Sequence, residues 1–209
     1  MKRKQTISVI VMILLGGLIA CKRPVEFDPT DLVDDRDGQR YSTVVYKDQR
    51  WMAENLNYNL NHSKFNADNP ITEYGRLYTF EQASIACPTG WHLPTESEWK
   101  EMEYGIGMGA GELNSFGYRG GLLGSAMKSQ TGWILQNGTN SLKFNAYPAG
   151  IYDPIKGTFE KLGNQACFWT ASDSSSSSAW YRGLTKSFDG IYRDTKHKGE
   201  GLSCRCIED

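Results

Sequence analysis

Hydrophobic and polar positions repeat with two different periods along the chain, and the switches between them outline the elements. Residues 41–46 (YSTVVY) are β-branched and aromatic, and residues 49–56 resume the apolar pattern after a polar break at Lys47-Asp48, which predicts an opening β-hairpin. Two helix starts follow with one grammar. Thr79 is followed at the third helical position by Gln82, and Thr95 by Glu98, the spacing at which the Thr hydroxyl and the Gln or Glu side chain exchange hydrogen bonds with first-turn amides. Pro88 and Gly90 punctuate the gap between the two helices. Trp99 and Met102 then share a face of the second helix and point to the core, while Glu96 and Glu98 sit in its first turn, where the helix dipole favours negative charge. From 105 to 138 glycine is too dense for long regular structure, so a looped region pinned by Phe116, Tyr118 and Trp133 is expected. Strand-like runs return at 144–150, 167–171, 179–184, 191–193 and 202–207, and the serine run 174–178 reads as an exposed turn between two of them.

The N-terminal segment departs from this pattern. Lys2, Arg3 and Lys4 precede an apolar run over 7–19, about the length of a signal-peptide core and short for a membrane span. Leu18-Ile19-Ala20-Cys21 has the form of a lipobox, with Cys21 as the thiol that takes lipid. Residues 1–20 are therefore expected as a signal peptide, 21–37 as a lipidated flexible tether rich in Pro and charge, and 38–209 as one folded domain. Palmitate-type acylation at Cys21 would make the membrane a partner through the anchor alone. Lys22 stands where an inner-membrane retention signal would place Asp, so an outer-membrane lipoprotein, facing the periplasm or the cell surface, is expected. The charge is nearly balanced, 23 basic against 24 acidic residues, and loss of the signal peptide tips it further acidic. That balance argues against nucleic acid as a partner, which selects clustered basic surfaces.

The stretch CPTGWHLPTESEW, 87–99, brings a thiol, an imidazole and carboxylates close together, yet most of it is helix punctuation. Glu96 and Glu98 are two apart on a helix and do not face one another, so they make no carboxylate pair. His62, His92 and His197 lie far apart in sequence with no helical metal-ligand spacing, and no nucleophile elbow, phosphate loop or dinucleotide fingerprint occurs. No catalytic residue, metal or cofactor is expected. After Cys21 four cysteines remain, Cys87, Cys167, Cys204 and Cys206, which allow three full pairings. Cys204 and Cys206 within one strand would point to the same face and could not bridge each other without strain. Six Trp, eleven Tyr and eight Phe supply aromatic surface that could stack on sugar rings or dock a partner, with Trp133 and Tyr181 as loop candidates.

Several motifs together carry a resemblance: DGQRYSTVVYKDQRWMAENLNY, YGRLYTFEQASIACPTGWHLPTESEW, NAYPAG, FWTAS, AWYRGL and GLSCRCIED. In this order they resemble the Fibrobacter succinogenes major paralogous domain, over about residue 37 to the end of the chain. LPTESEWKEM and the G-x-S-x-R-C ending are also similar to formylglycine-generating and sulfatase-modifying enzymes. The resemblance implies an α+β domain of C-type-lectin-like fold, with a twisted antiparallel sheet, two short helices and long irregular loops. It implies a bridge between Cys87 and Cys206, and the joint presence of Cys167 and Cys204, where the family more often has other residues, suggests a second. Lys47 stands where the family's hairpin carries glycine, the residue suited to a positive φ. The expected function is a non-enzymatic binding or surface-interaction module for polysaccharide or an envelope protein. The alternatives are a structural envelope component and a thiol oxidase of the formylglycine-generating type, with Cys204 and Cys206 as its dithiol.

Overall fold

The hairpin expected at 41–56 forms, and a shorter one precedes it. The computed structural model describes residues 31–209; the signal segment, Cys21 and the first part of the tether lie outside the described residues. Strands β1 (Leu32–Val33) and β2 (Arg40–Tyr41) pair antiparallel around a turn in which the fully buried Asp34 binds the Arg36 guanidinium at 2.7 Å. The last part of the expected tether, 32–37, is therefore part of the fold. Its charge density misled because Asp34 and Arg36 satisfy each other, and Arg36 also donates to the carbonyl of Ala86 and lies 3.7 Å over the Tyr58 ring.

β3 (Thr43–Tyr46) and β4 (Gln49–Met52) form the expected hairpin, with Tyr46 opposite Gln49. Lys47 takes φ +54°, the sign that glycine supplies without strain. Its ammonium lies 4.7 Å from the Tyr104 ring and its stem runs beside Gly105, so packing holds a backbone that Lys disfavours. A 3-10 turn at Thr72–Tyr74 leads to α1 (Phe80–Ala83), then β5 (Trp91–His92) and α2 (Glu96–Gly105). Both helices carry the expected capping boxes, Thr79 with Gln82 and Thr95 with Glu98. Each satisfies two amides that a helix start would leave without partners, and together such caps are worth about 1 kcal/mol apiece.

The glycine-dense region is less irregular than its composition suggests. It holds β6 (Gly117–Arg119) and α3 (Leu123–Met127), the latter lying so close to a neighbouring strand that a Cβ on Gly124 would meet the Gly190 carbonyl oxygen. Trp133 is buried as expected of a pin, whereas Phe116 and Tyr118 are exposed. β7 (Ile151–Asp153) and β8 (Thr158–Glu160) make a small hairpin, and the chain then runs through the three long strands β9 (Gln165–Asp173), β10 (Ser178–Thr185) and β11 (Phe188–His197) before ending on β12 (Ile207–Glu208). The serine run is the exposed turn between β9 and β10. The run expected as a strand at 144–150 is broken by Asn145 and Gly150, both at positive φ, and it and the segment 202–206 are held by single bridges.

Two four-stranded sheets, β3-β4-β12-β5 and β6-β11-β10-β9, and two two-stranded ones make a mixed, mostly antiparallel fold with few and short helices. Trp51, Trp99, Phe144 and Phe168 pack between the four-stranded sheets, with Trp51 edge-on to Trp99 at 4.9 Å. A second cluster gathers Tyr78, Phe80, Trp169 and Leu202 on the other face of β9. The C-terminal segment is pinned between them by Arg205, fully buried, whose hydrogen bonds go to neutral oxygens of Met52, Asn55, Phe144 and Asn145. Burial pulls its pKa down to about 9.

Cys87 and Cys206 are bridged, with Cα atoms 5.8 Å apart. The second expected bridge is absent: Cys167 and Cys204 are free and buried. The register explains this. Phe168 bridges Ser203 in a parallel sense, which sets Cys204 opposite Trp169 and staggers it two residues from Cys167. Strand spacing and rise place such a pair about 8 Å apart at Cα, beyond the reach of about 7 Å for a disulfide.

Candidate functional site

The residues that looked most chemical, 87–99, are distributed into the scaffold. Cys87 is bridged, Thr95 and Glu98 cap α2, and Trp99 is core. His92 lies between two carboxylates, Nε2 at 2.9 Å from Glu98 and Nδ1 at 2.7 Å from Asp209, tying the helix start to the last residue. Partial burial opposes its charge, but the hydrogen bonds to Asp209 and Glu98 prevail and raise its pKa. Glu96 and Glu98 point different ways, as their spacing requires, and Glu96 enters a buried ion network.

That network is built on one face of the β6-β11-β10 sheet. Glu103, fully buried on α2, accepts from Arg119 at 2.7 Å and from Arg182 at 2.6 Å. Glu96 bridges Arg182 at 2.7 Å and Arg193 at 2.6 Å. Arg182 and Arg193 are direct cross-strand neighbours, a like-charge pair that would repel without the carboxylate between them. Each guanidinium here is paired with a carboxylate from within, and the one nitrogen left without a partner, Nε of Arg119, is buried, so the cluster holds α2 to the sheet and presents no exposed free group to a ligand.

The opposite face of the same sheet is open. Tyr118 stands directly across from Tyr192, and Gly183 across from Tyr192 on the other side. Phe188 stacks on Tyr118 at 4.2 Å, Tyr118 meets Tyr192 edge-on at 4.8 Å, and Tyr192 lies 6.1 Å from Tyr181, making a row of four rings across three strands. Gly183 sits in this row because a Cβ there would come within 3.3 Å of both Tyr181 and Tyr192. Its bare backbone leaves a hollow of about 320 Å³ between the tyrosines. A second hollow of about 390 Å³ adjoins it, sharing Tyr118, Gln165 and Thr185 and adding Lys161, Asn164, Lys186 and Phe188. The two form a groove with an aromatic wall and a rim of amides, hydroxyls and ammonium groups. Phe80 and Leu202 close the other end of this face over Trp169.

Cys167 lines the groove but is almost fully buried, and burial pushes its thiol up to about 12, so it is no nucleophile at neutral pH. Burial likewise raises the Cys204 thiol, and Cys206 is bonded to Cys87, so Cys204 and Cys206 do not form a free dithiol. Among the described residues no three His, Cys, Asp or Glu side chains gather in a way that could hold a metal ion, and no helix is long and apolar enough to cross a membrane.

A family model, the Fibrobacter succinogenes major domain, matches residues 44–208. The chain belongs to this family. No curated protein and no solved structure matches it. The family's span takes in both capping boxes, the bridge, the ion network and the whole groove, while β1 and β2 precede it.

The groove was not legible in advance, and the two aromatics offered as loop candidates, Trp133 and Tyr181, are both buried. A signal was present. Tyr-Arg occurs at 118–119, 181–182 and 192–193, once on each of β6, β10 and β11. Because side chains alternate along a strand, each dipeptide sends its Tyr toward the groove and its Arg into the network.

Proposed function

We propose that this family member is a non-enzymatic binding module of the cell envelope, held by lipid at Cys21 to the outer membrane, whose lectin-like domain binds polysaccharide along the groove. The C-type-lectin-like assignment belongs to this proposal. The antiparallel sheets, short helices, capped LPTESEW helix and bridge to the last strand are compatible with such a fold.

The observation that carries the reading is the aromatic row Phe188–Tyr118–Tyr192–Tyr181 beside a polar rim. A pyranose has an apolar face of C–H groups and an edge of hydroxyls. It needs a flat apolar surface next to hydrogen-bonding groups, and here Gln165, Asn164 and Thr185 stand beside Phe188 and Tyr118. The groove is shallow and open, which suits a chain passing through more than a small molecule enclosed.

The test is retention of the purified protein on a panel of immobilised polysaccharides, with Phe188→Ala beside the parent chain. Binding that falls at least about tenfold in the variant is expected, since loss of an exposed ring contact of 1–2 kcal/mol has that effect. No retention on any polysaccharide, with the protein folded, would favour a structural envelope role instead.

A further inference from the structure

We infer that the groove, on the polysaccharide-binding reading above, takes an acidic polysaccharide, and that Lys161 and Lys186 grip a ring carboxylate of a uronic acid residue stacked on Phe188. Both lysines line the larger hollow, and no carboxylate lines it with them. Other lysines of the domain are already engaged: Lys196 with Glu200 at 2.6 Å, Lys198 with Asp173 at 2.8 Å, and Lys156 with Glu160 at 2.7 Å. Glu160, the acid beside Lys161 in the chain, is thus taken by Lys156. Among the described residues Lys161 and Lys186 have neither an ion pair nor a side-chain hydrogen bond.

Their placement is built rather than incidental. Lys161 holds φ +63° in a tight turn whose carbonyl accepts from the amides of Asn164 and Gln165. Lys186 sits in the turn between β10 and β11, and its amide donates to the Asn164 carbonyl at 2.9 Å. The turn before β9 and the turn after β10 are joined by that bond at the open end of one hairpin, so the two ammonium groups are presented to one hollow on a protein whose overall charge is slightly negative. Two like charges left unpaired in one concavity favour an anion between them. Phe188 lines the same hollow, so an anion fixed directly to a stacking ring satisfies both features. A uronic acid has that form, because its carboxylate is attached to the pyranose ring whose face stacks.

The experiment compares polygalacturonate with the same polymer after its carboxyl groups are reduced to neutral alcohols, using the whole mature protein in affinity electrophoresis and calorimetry at low and high salt. Polygalacturonate is expected to bind at least about tenfold more tightly than the reduced polymer, with the advantage shrinking as salt rises. The double variant Lys161→Gln, Lys186→Gln is expected to erase that preference, while Phe188→Ala weakens both polymers. Both changes are at solvent-facing side chains, and a circular dichroism melt confirms folding. Equal binding of the two polymers overturns the acidic assignment and leaves polysaccharide binding standing. Tighter binding of a sulfated polysaccharide than of polygalacturonate overturns the carboxylate assignment, and no binding to any polymer overturns both.

Discussion

The two faces of the β6-β11-β10 sheet carry the same kind of cationic and aromatic residues and use them oppositely. On the inner face Arg119, Arg182 and Arg193 are buried, and Glu96 and Glu103 pair with them at 2.6–2.7 Å. On the outer face the tyrosines of the same dipeptides line a groove, and the two lysines at its rim have no partner. The difference separates scaffold from site. A buried charge must find its counter-charge inside the protein, because leaving it unpaired costs several kcal/mol. A charge at an open rim is solvated at little cost and stays available to a ligand.

The largest expected effect that would sharpen this contrast comes from Glu103→Ala. It strands Arg119 and Arg182 in the interior and is expected to cost about 3–5 kcal/mol in urea unfolding, whereas Phe188→Ala on the other face is expected to stay within about 0.5 kcal/mol. A Glu103→Ala protein as stable as the parent would break the comparison, since the network would then contribute nothing. Next is Glu96→Gln, which keeps the side chain's shape but removes the charge between Arg182 and Arg193, with an expected loss of about 2 kcal/mol at neutral pH. Burial works against the Glu96 carboxylate, yet its bonds to Arg182 and Arg193 prevail and lower its pKa. Its contribution is thus full above the ordinary carboxylate value of about 4.3 and is lost as pH falls through the lower folded value. The parent's acid-limb loss of stability should be shallower in Glu96→Gln, and identical pH profiles would refute the assignment.

The smallest effect is at His92. Its folded pKa is raised, so its contribution is present below about 6.5 and fades as pH rises through the folded value. Its side chain is 38% exposed, and solvent screening keeps the contribution below about 1 kcal/mol. Thermal melts of His92→Gln and the parent chain at pH 5.5 and 8.5 should differ more at the lower pH; a difference that grows toward pH 8.5 would count against it.

Much of the scaffold was legible because its rules act over short distances. The capping boxes of Thr79 and Thr95 involve groups three residues apart, and the strand patterns at 167–171 and 179–184 show directly in the residues. The bridge between Cys87 and Cys206 followed from resemblance to the family rather than from spacing. Legibility failed where a local pattern had two meanings. The charged stretch 32–37 reads as solvated tether until Asp34 and Arg36 are seen to pair, and glycine density at 105–138 hid β6 and α3. Trp133 and Tyr181 looked like loop aromatics because burial cannot be read from residue type.

By itself the sequence determined the starts of α1 and α2, most of the long strands and membership of the family. Tertiary structure alone decided that Cys167 and Cys204 do not meet, because a two-residue stagger between β9 and the segment before β12 separates them. It also decided which face of the sheet becomes the groove. Alternation places Tyr and Arg on opposite sides of each strand but does not say which side is wet, and slipping the register by one residue would exchange them. Glu96 and Glu103 on α2 settle the matter, since only the face that packs on those carboxylates can bury the arginines, and the tyrosines are left to the opposite face, where the groove lies.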